Sequence, residues 1–337
     1  MSDLAYALGK PASRGILKQC PEDFIVNEIL GFELTGEGEH LFLFIEKRNI
    51  NTEDVAKEIA RALKLSPRAV SYAGLKDKQA LTRQWFSVHL PGKQHSNIEL
   101  GQGGQWKILR EQRHNKKLKT GALAGNQFQL ILRDIVKEDN LDERLSAIAA
   151  HGVPNYFGAQ RFGNNGQNLY KAEQLLFEGM KVKNPFLKGM YYSAARAYLF
   201  NRILDFRISR QNWNKGVPGD VMQLAGTHSV FHCETPDETI QKRINAFDIS
   251  PSGVLWGTGT NRVTDLALNL QEQALTELHN WCRALEEHKL EIAYRAFVLE
   301  PKEMQWKWLS ENELFVEFAL TSGSYATSVI RELMLTE

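Results

Sequence analysis

A surplus of either charge is what this chain most clearly lacks: 41 Lys and Arg stand against 40 Asp and Glu over 337 residues, a formal +1. Bulk attraction to a polyanion or an acidic membrane is thereby excluded, and any such partner has to be met by a local basic face. Cysteine is scarce. Cys20, Cys233 and Cys282 are odd in number and far apart, which excludes a disulfide framework and fits a reducing compartment. No run approaches the ~20 apolar residues of a membrane span, and the opening "MSDLAYALGKPASRG" lacks the apolar stretch of a signal peptide. A cytoplasmic protein is expected. Repeats and low-complexity tracts are also missing. The apolar share of 43% and charged share of 24% are those of an ordinary globular chain, long enough for two domains.

Familiar chemical motifs are absent as well. "GQGG" at Gly101 to Gly104 lacks the Lys-Ser/Thr of a phosphate-binding loop, "GTGT" at Gly257 to Thr260 fits no strand-glycine-helix context, and no GxSxG supports a serine nucleophile. His228, His232 and Cys233, with His279 and Cys282, match no zinc framework in a chain without CxxC, so no metal is expected.

What is present changes texture along the chain. The first 150 or so residues are strand-rich: "DFIVNEIL", "HLFLFIEK", "QWFSVHL", "QWKILRE" and "NQFQLILRDI" carry branched and aromatic residues. In the third, Phe86, Val88 and Leu90 share one face and Ser87 and His89 the other, as in a half-buried antiparallel strand. "NTEDVAKEIARALKL", capped by Asn51 and striped by Val55, Ile59, Ala62 and Leu63, and "NLDERLSAIAAHG", closed by Gly152, are read as helices. From about Gly152 to Glu300 helices dominate, "SAARAYLFNRILDFRIS" and "LALNLQEQALTELHNWCRALEEH" flanking a loop-rich, glycine- and proline-punctuated stretch. A strand at Glu313 to Leu320 and a helix that Ser324 could cap close the chain. These are too small to stand alone. The expected architecture is therefore α+β, with residues 152-299 inserted into a domain formed by 1-151 and 300-337.

Three constellations carry possible chemistry, each beside a plainer reading. In "YAGLKDKQALTRQW", Asp77 sits on a loop between Lys76 and Lys78, after Gly74, whose conformational freedom suits a close ligand approach. Either lysine could hold the carboxylate ionised or contact a phosphate; a solvated turn is the alternative. In "LREQRHNKKLKTGALAGNQF", Arg110, Arg113, Lys116, Lys117 and Lys119 form the strongest basic concentration, either a hairpin tip for phosphates or a solubilising edge. In "VPNYFGAQRFG", aromatics alternate with amides and Arg161, which suits base stacking and phosphate pairing, or else a packed connector.

The spacing GxKDxxAxTxQ, at Gly74, Lys76, Asp77, Ala80, Thr82 and Gln84, resembles the signature of the TruD family of tRNA pseudouridine synthases. So do "GILKQCPEDFIVNE" from Gly15, "GNQF" from Gly125, "VPNYFGAQRFG" from Val153 and "GSYATSVIREL" from Gly323, in order along almost the whole chain. The resemblance implies a pseudouridine-synthase catalytic domain with a mixed, mostly antiparallel sheet, interrupted by a helix-rich α/β TRUD insertion domain. It implies isomerisation of uridine to pseudouridine in tRNA, at position 13 in the D-arm, with no metal or organic cofactor. Asp77 is then the catalytic aspartate, acting as a nucleophile on base or sugar or by taking the 2′-proton, and Lys18 its ionic partner. Asn126 and Phe128 line the uracil pocket, Phe128 where other synthase families use a tyrosine. Tyr325, at a position where phenylalanine is expected, joins them with a less defined role. Lys76, Arg161, Arg113, Lys116 and Lys117 are the expected tRNA contacts, lining a cleft between the domains. The protein is expected to act as a monomer, away from membranes. A non-catalytic structured-RNA-binding protein or chaperone using the same surface is the alternative.

Overall fold

The computed structural model describes residues 4–92 and 104–336, which leaves most of the "GQGG" segment outside the described residues. Backbone contacts divide the chain into two units, one of Ser13–Asp139, Lys302–Gly323 and Leu335–Glu337, the other of Met1–Ala12, Asn140–Pro301 and Ser324–Met334. These boundaries differ from those expected from texture: the helix ending at His151 and the closing helix both group with the helix-rich unit.

The first unit is a mixed ten-stranded sheet. Its strands are β1 (Arg14–Leu17), β2 (Phe24–Leu30), β3 (His40–Arg48), β4 (Val70–Tyr72), β5 (Leu81–His89), β6 (Trp106–His114) and β7 (Leu123–Val136), then β14 (Lys302–Trp308), β15 (Leu314–Thr321) and β16 (Leu335–Thr336). The main path runs β14-β15-β7-β2-β5-β3-β6, with β1 on β7 and β16, and β4 on β5. Among the described residues of this sheet only β2/β5 and β1/β16 are parallel. The sheet is thus mixed and mostly antiparallel.

Helix α1 (Thr52–Ala62) covers one sheet face, burying Val55, Ala56, Ile59 and Ala60 against Leu41, Leu43, Ile45, Phe86 and Val88. Ala62, expected in that stripe, is exposed. Asn51 occupies the N-cap position without accepting a helix N–H; its amide donates to Asp54.

Two expectations fail here for one reason. β6 and β7 are not a hairpin: β6 pairs with β3 and β7 with β2, so residues 115–122 form a crossover instead of a tip. That crossover lies over the Trp85 face of β5, burying Leu118 with Phe42, Ala73 and Trp85. Its Leu118 N–H points to the Ser87 hydroxyl, 3.4 Å away. Ser87, expected on a solvated face, is therefore buried.

The second unit comprises α2 (Leu141–His151), β8 (Val153–Pro154), α3 (Ala159–Phe162), α4 (Gln167–Phe177), α5 (Pro185–Ser209), β9 (Asp220–Leu224), β10 (Val230–Cys233), α6 (Glu238–Asn245), β11 (Ile249–Leu255), α7 (Asp265–Ala274), α8 (His279–Glu287), β12 (Ala293–Ala296), β13 (Val298–Leu299) and α9 (Ala326–Leu333). The stretch read as loop-rich supplies β9, β10 and β11 of a four-stranded sheet, β10-β9-β11-β12, whose fourth strand follows α8. The long helix expected from Leu266 to Leu285 is broken into α7 and α8, leaving Leu266 exposed. Tyr325, not Ser324, stands at the N-cap of α9. Tyr156, Phe157 and Phe162, read as stacking platforms, are buried with Phe200, Leu204 and Trp281.

Candidate active site

Parallel strands begin at the same end of a sheet, so the segments entering β2 and β5 share that end. Lys18 precedes β2 and Asp77 precedes β5, and the structure brings the Lys18 ammonium onto Asp77 Oδ2 in an ion pair. The other carboxylate oxygen accepts from the Gln79 N–H at 2.9 Å. Lys18 adopts φ 67°, a left-handed conformation that is costly for a residue with a Cβ. Its ammonium also lies 4.0 Å from the centroid of the Phe24 ring.

The Asp77 loop is fixed from several sides. Gln84 donates to the Gly74 carbonyl (3.4 Å), the Thr52 hydroxyl accepts from the Lys76 N–H (3.1 Å) and donates to Gln84 (2.8 Å), and Gly121 N–H of the crossover donates to the Ala73 carbonyl (2.9 Å). Gln84 of the spaced motif thus serves the loop rather than a ligand. Gly74 has no positive φ and open space where a Cβ would stand, so neither its backbone conformation nor a neighbouring protein atom demands glycine there.

Lys47 is the functional candidate the sequence reading missed. It is fully buried and donates to the main-chain carbonyls of Asp77 and Ile50, 3.0 Å each. Burial lowers its pKa to about 8, against the pull of the Asp77 carboxylate. A signal was available: Leu41, Leu43 and Ile45 alternate inward along β3, and Lys47 takes the next inward place. Glu28 stands likewise after Phe24 and Val26 on β2. Its carboxylate is buried, accepts from the Trp85 N–H at 2.8 Å and pairs with Lys76. Burial raises the pKa of Glu28, partly opposed by Lys76. For Asp77 burial also pushes upward, but the hydrogen bonds from Lys18 and Gln79 and the charges of Lys18 and Lys47 outweigh it, so its carboxyl is held below the usual aspartate value.

The other expected site residues divide. Lys76, expected as a tRNA contact, is instead held inside: its side chain is 10% exposed and salt-bridged to Glu28. Phe128 is 6% exposed, with ring neighbours Phe24 (6.1 Å, edge-on) and Phe318 (5.6 Å). Asn126 faces Glu28 in the β2/β7 register, and its side-chain oxygen is buried without a hydrogen-bond partner among the described residues. Lys116 and Lys117 are exposed on the crossover whose Gly121 is tied to Ala73. Arg113 lies on β6, with Nη1 donating to the carbonyls of Gly38 and Leu90. Arg161 and Tyr325 belong to the helix-rich unit. No group of three or more His, Cys, Asp or Glu placed for a metal occurs among the described residues. No helix among them is long and apolar enough to cross a membrane.

The architecture defines the class first. A solved structure from Methanosarcina mazei, described as a tRNA pseudouridine synthase D (TruD), matches with a TM-score of 0.73 at 24% identity, over 98% of this chain and 95% of that one, so the chain is an α+β protein of that fold. Sequence narrows this. The family model for tRNA pseudouridine synthase D (TruD) matches residues 2–181 and 167–333. A protein named tRNA pseudouridine synthase D from Legionella pneumophila (strain Lens) is 45% identical over 97% of both chains, and one from Methylococcus capsulatus is 44% identical over 98% of this chain and 94% of its own. The chain belongs to the TruD family.

Proposed function

We propose that this protein isomerises uridine to pseudouridine in tRNA, at position 13 of the D-arm, with Asp77 as the catalytic aspartate. The observation that carries the reading is the Asp77 carboxylate paired with Lys18 on a loop that several hydrogen bonds fix. The reaction breaks the bond between N1 of uracil and C1′, joins C5 to C1′, and returns the C5 proton's equivalent to N1. Nothing is gained or lost overall, so no cofactor is called for. Asp77 starts it either by attack on C1′ or by taking the 2′-proton, and both require the anion that Lys18 and Lys47 favour.

The uridine has to leave its stack to meet Asp77, which costs a few kcal/mol. Phe24 supplies apolar ring surface beside Lys18 with Phe128 edge-on to it, and the Asn126 oxygen, unpartnered among the described residues, is an acceptor matched to the uracil N3–H. Lys116, Lys117 and Arg113 in the sheet unit, with Arg161 and Tyr325 in the helix-rich unit, are the proposed RNA contacts. The protein acts as a cytoplasmic monomer in this reading.

Asp77→Asn separates an enzyme from an RNA-binding module. Pseudouridine formed on a tRNA transcript should fall below detection while tRNA affinity stays within a few fold. A variant that still forms pseudouridine at a rate near wild type would remove Asp77 from the chemistry; a wild type that binds tRNA but modifies no transcript would favour the non-catalytic alternative.

A further inference from the structure

Along one side of α5, Gly189, Ser193 and Arg196 follow at helical spacing, and with Phe157, Tyr192, Leu255 and Leu290 they line a pocket of about 170 Å³. Arg161 of α3 reaches the same place. Its Nη1 donates to the Ser193 hydroxyl at 2.9 Å, and its guanidinium lies 5.3 Å from the Phe157 ring centroid. The Phe157 main chain is locked in turn, its N–H donating to Asn201 (2.9 Å) and its carbonyl accepting from the same amide (3.0 Å).

Arg196 donates through Nη2 to the carbonyls of Leu255 and Glu291, 2.7 Å each. Burial alone lowers its pKa, with no neighbouring carboxylate raising it. Most telling are the Nε atoms of Arg161 and Arg196: both are buried and neither has a hydrogen-bond partner among the described residues. A buried charged donor without an acceptor is expensive, and the two guanidinium groups, Arg161 bonded to Ser193 and Arg196 lining the same pocket as that serine, bring donors and no acceptor of their own. A nucleobase edge presents donors and acceptors together, whereas an oxyanion presents acceptors alone. Guanidinium forks match phosphate oxygens in plane.

We propose that Arg161, Arg196 and Ser193 form a phosphate-binding subsite in the helix-rich unit, and that its occupant is a phosphodiester group of the RNA backbone. This rests on the tRNA reading above. The phosphate oxygens accept from guanidinium N–H groups of Arg161 and Arg196 and from the Ser193 hydroxyl, and the Arg196 contacts to Leu255 and Glu291 hold one fork in place beforehand.

The test is equilibrium binding of an unmodified tRNA transcript to the full chain between about 50 and 200 mM salt. Each phosphate contact contributes about 0.7 to 0.9 to the slope of log affinity against log salt. Arg161→Gln and Arg196→Gln should each lower the slope by about that amount and weaken binding roughly tenfold at fixed salt. Arg161→Lys keeps a charge but loses the fork, so it should restore the slope without restoring the full affinity. A folding defect lowers the fraction of competent protein and leaves the slope alone, and Arg161, on a short helix and half-exposed, is the safer of the two sites. Wild-type slopes in both glutamine variants overturn the subsite while leaving the tRNA reading intact. A wild type that fails to bind tRNA even at the lowest salt brings down both.

Discussion

At the scale of the residue, the Lys18–Asp77 pair sets which form of the acid is present at a given pH. Burial alone would leave Asp77 harder to ionise than a free aspartate; Lys18 and the Gln79 N–H reverse that. In the proposed reaction the ionised form is the active one, so activity in wild type should persist as pH falls through the ordinary aspartate range and decline only below it. The pair's stabilising contribution follows the same sign: present above the unfolded aspartate pKa, lost as pH falls through the depressed folded value. Lys18→Met removes the chief lowering influence while keeping the stem's bulk. Its acid limb in kcat/KM should move upward, and kcat at neutral pH should drop about a hundredfold, the order expected when a reacting group is displaced by ~1 Å. An acid limb coincident with that of wild type would show that Lys18 does not govern the ionisation of Asp77.

At the scale of the element, the site is a consequence of β2 and β5 running parallel, with Glu28 and Lys76 tying the strand to the loop. Both charges lie inside, so Lys76→Met strands a buried carboxylate and should cost about 3–5 kcal/mol in urea unfolding at pH 7. Because burial raises the pKa of Glu28, the loss should shrink as pH is lowered toward that value, where the neutral acid needs no partner. Lys76→Met combined with Glu28→Gln should recover most of it; a single variant as stable as wild type would show the pair to be dispensable. Much of this was legible in the sequence. The alternation of β2 and β3 marks the inward faces, and the same count places Glu28 and Lys47 inside, an inference open to anyone willing to read a charge at an apolar position. The partner of β6 was not legible: sequence neighbours suggested a hairpin with β7, but pairing with β3 buries both faces of the sheet under α1 and the 115–122 crossover. Strand β9 was hidden because the glycines and prolines around it signal turns more strongly than its five residues signal pairing.

At the scale of the whole molecule, the helix-rich unit is not a contiguous insertion: it takes in Met1–Ala12 and Ser324–Met334 along with Asn140–Pro301. The N-terminal segment is bound by several polar contacts, with Ala5 N–H donating to Asp205 (2.6 Å), the Tyr156 hydroxyl to the Ala5 carbonyl (3.3 Å) and Leu8 N–H to Glu332 (3.2 Å), while Arg331 stacks 3.6 Å from the Tyr6 ring centroid. Helix α9 packs on α2 and β8, and Val329, Ile330, Leu333 and Met334 are buried. At roughly 1.5–3 kcal/mol for each buried side chain, these four together supply roughly 6–12 kcal/mol, comparable to the whole stability of a typical domain at about 5–15 kcal/mol. A fragment spanning 140–301 should therefore retain helical signal in circular dichroism but show no cooperative thermal transition, and joining residues 324–334 to its end through a flexible glycine-serine linker should restore one. If the bare fragment melts as sharply as the full chain, the central segment is self-sufficient, and the two outlying pieces rest on a fold that does not need them.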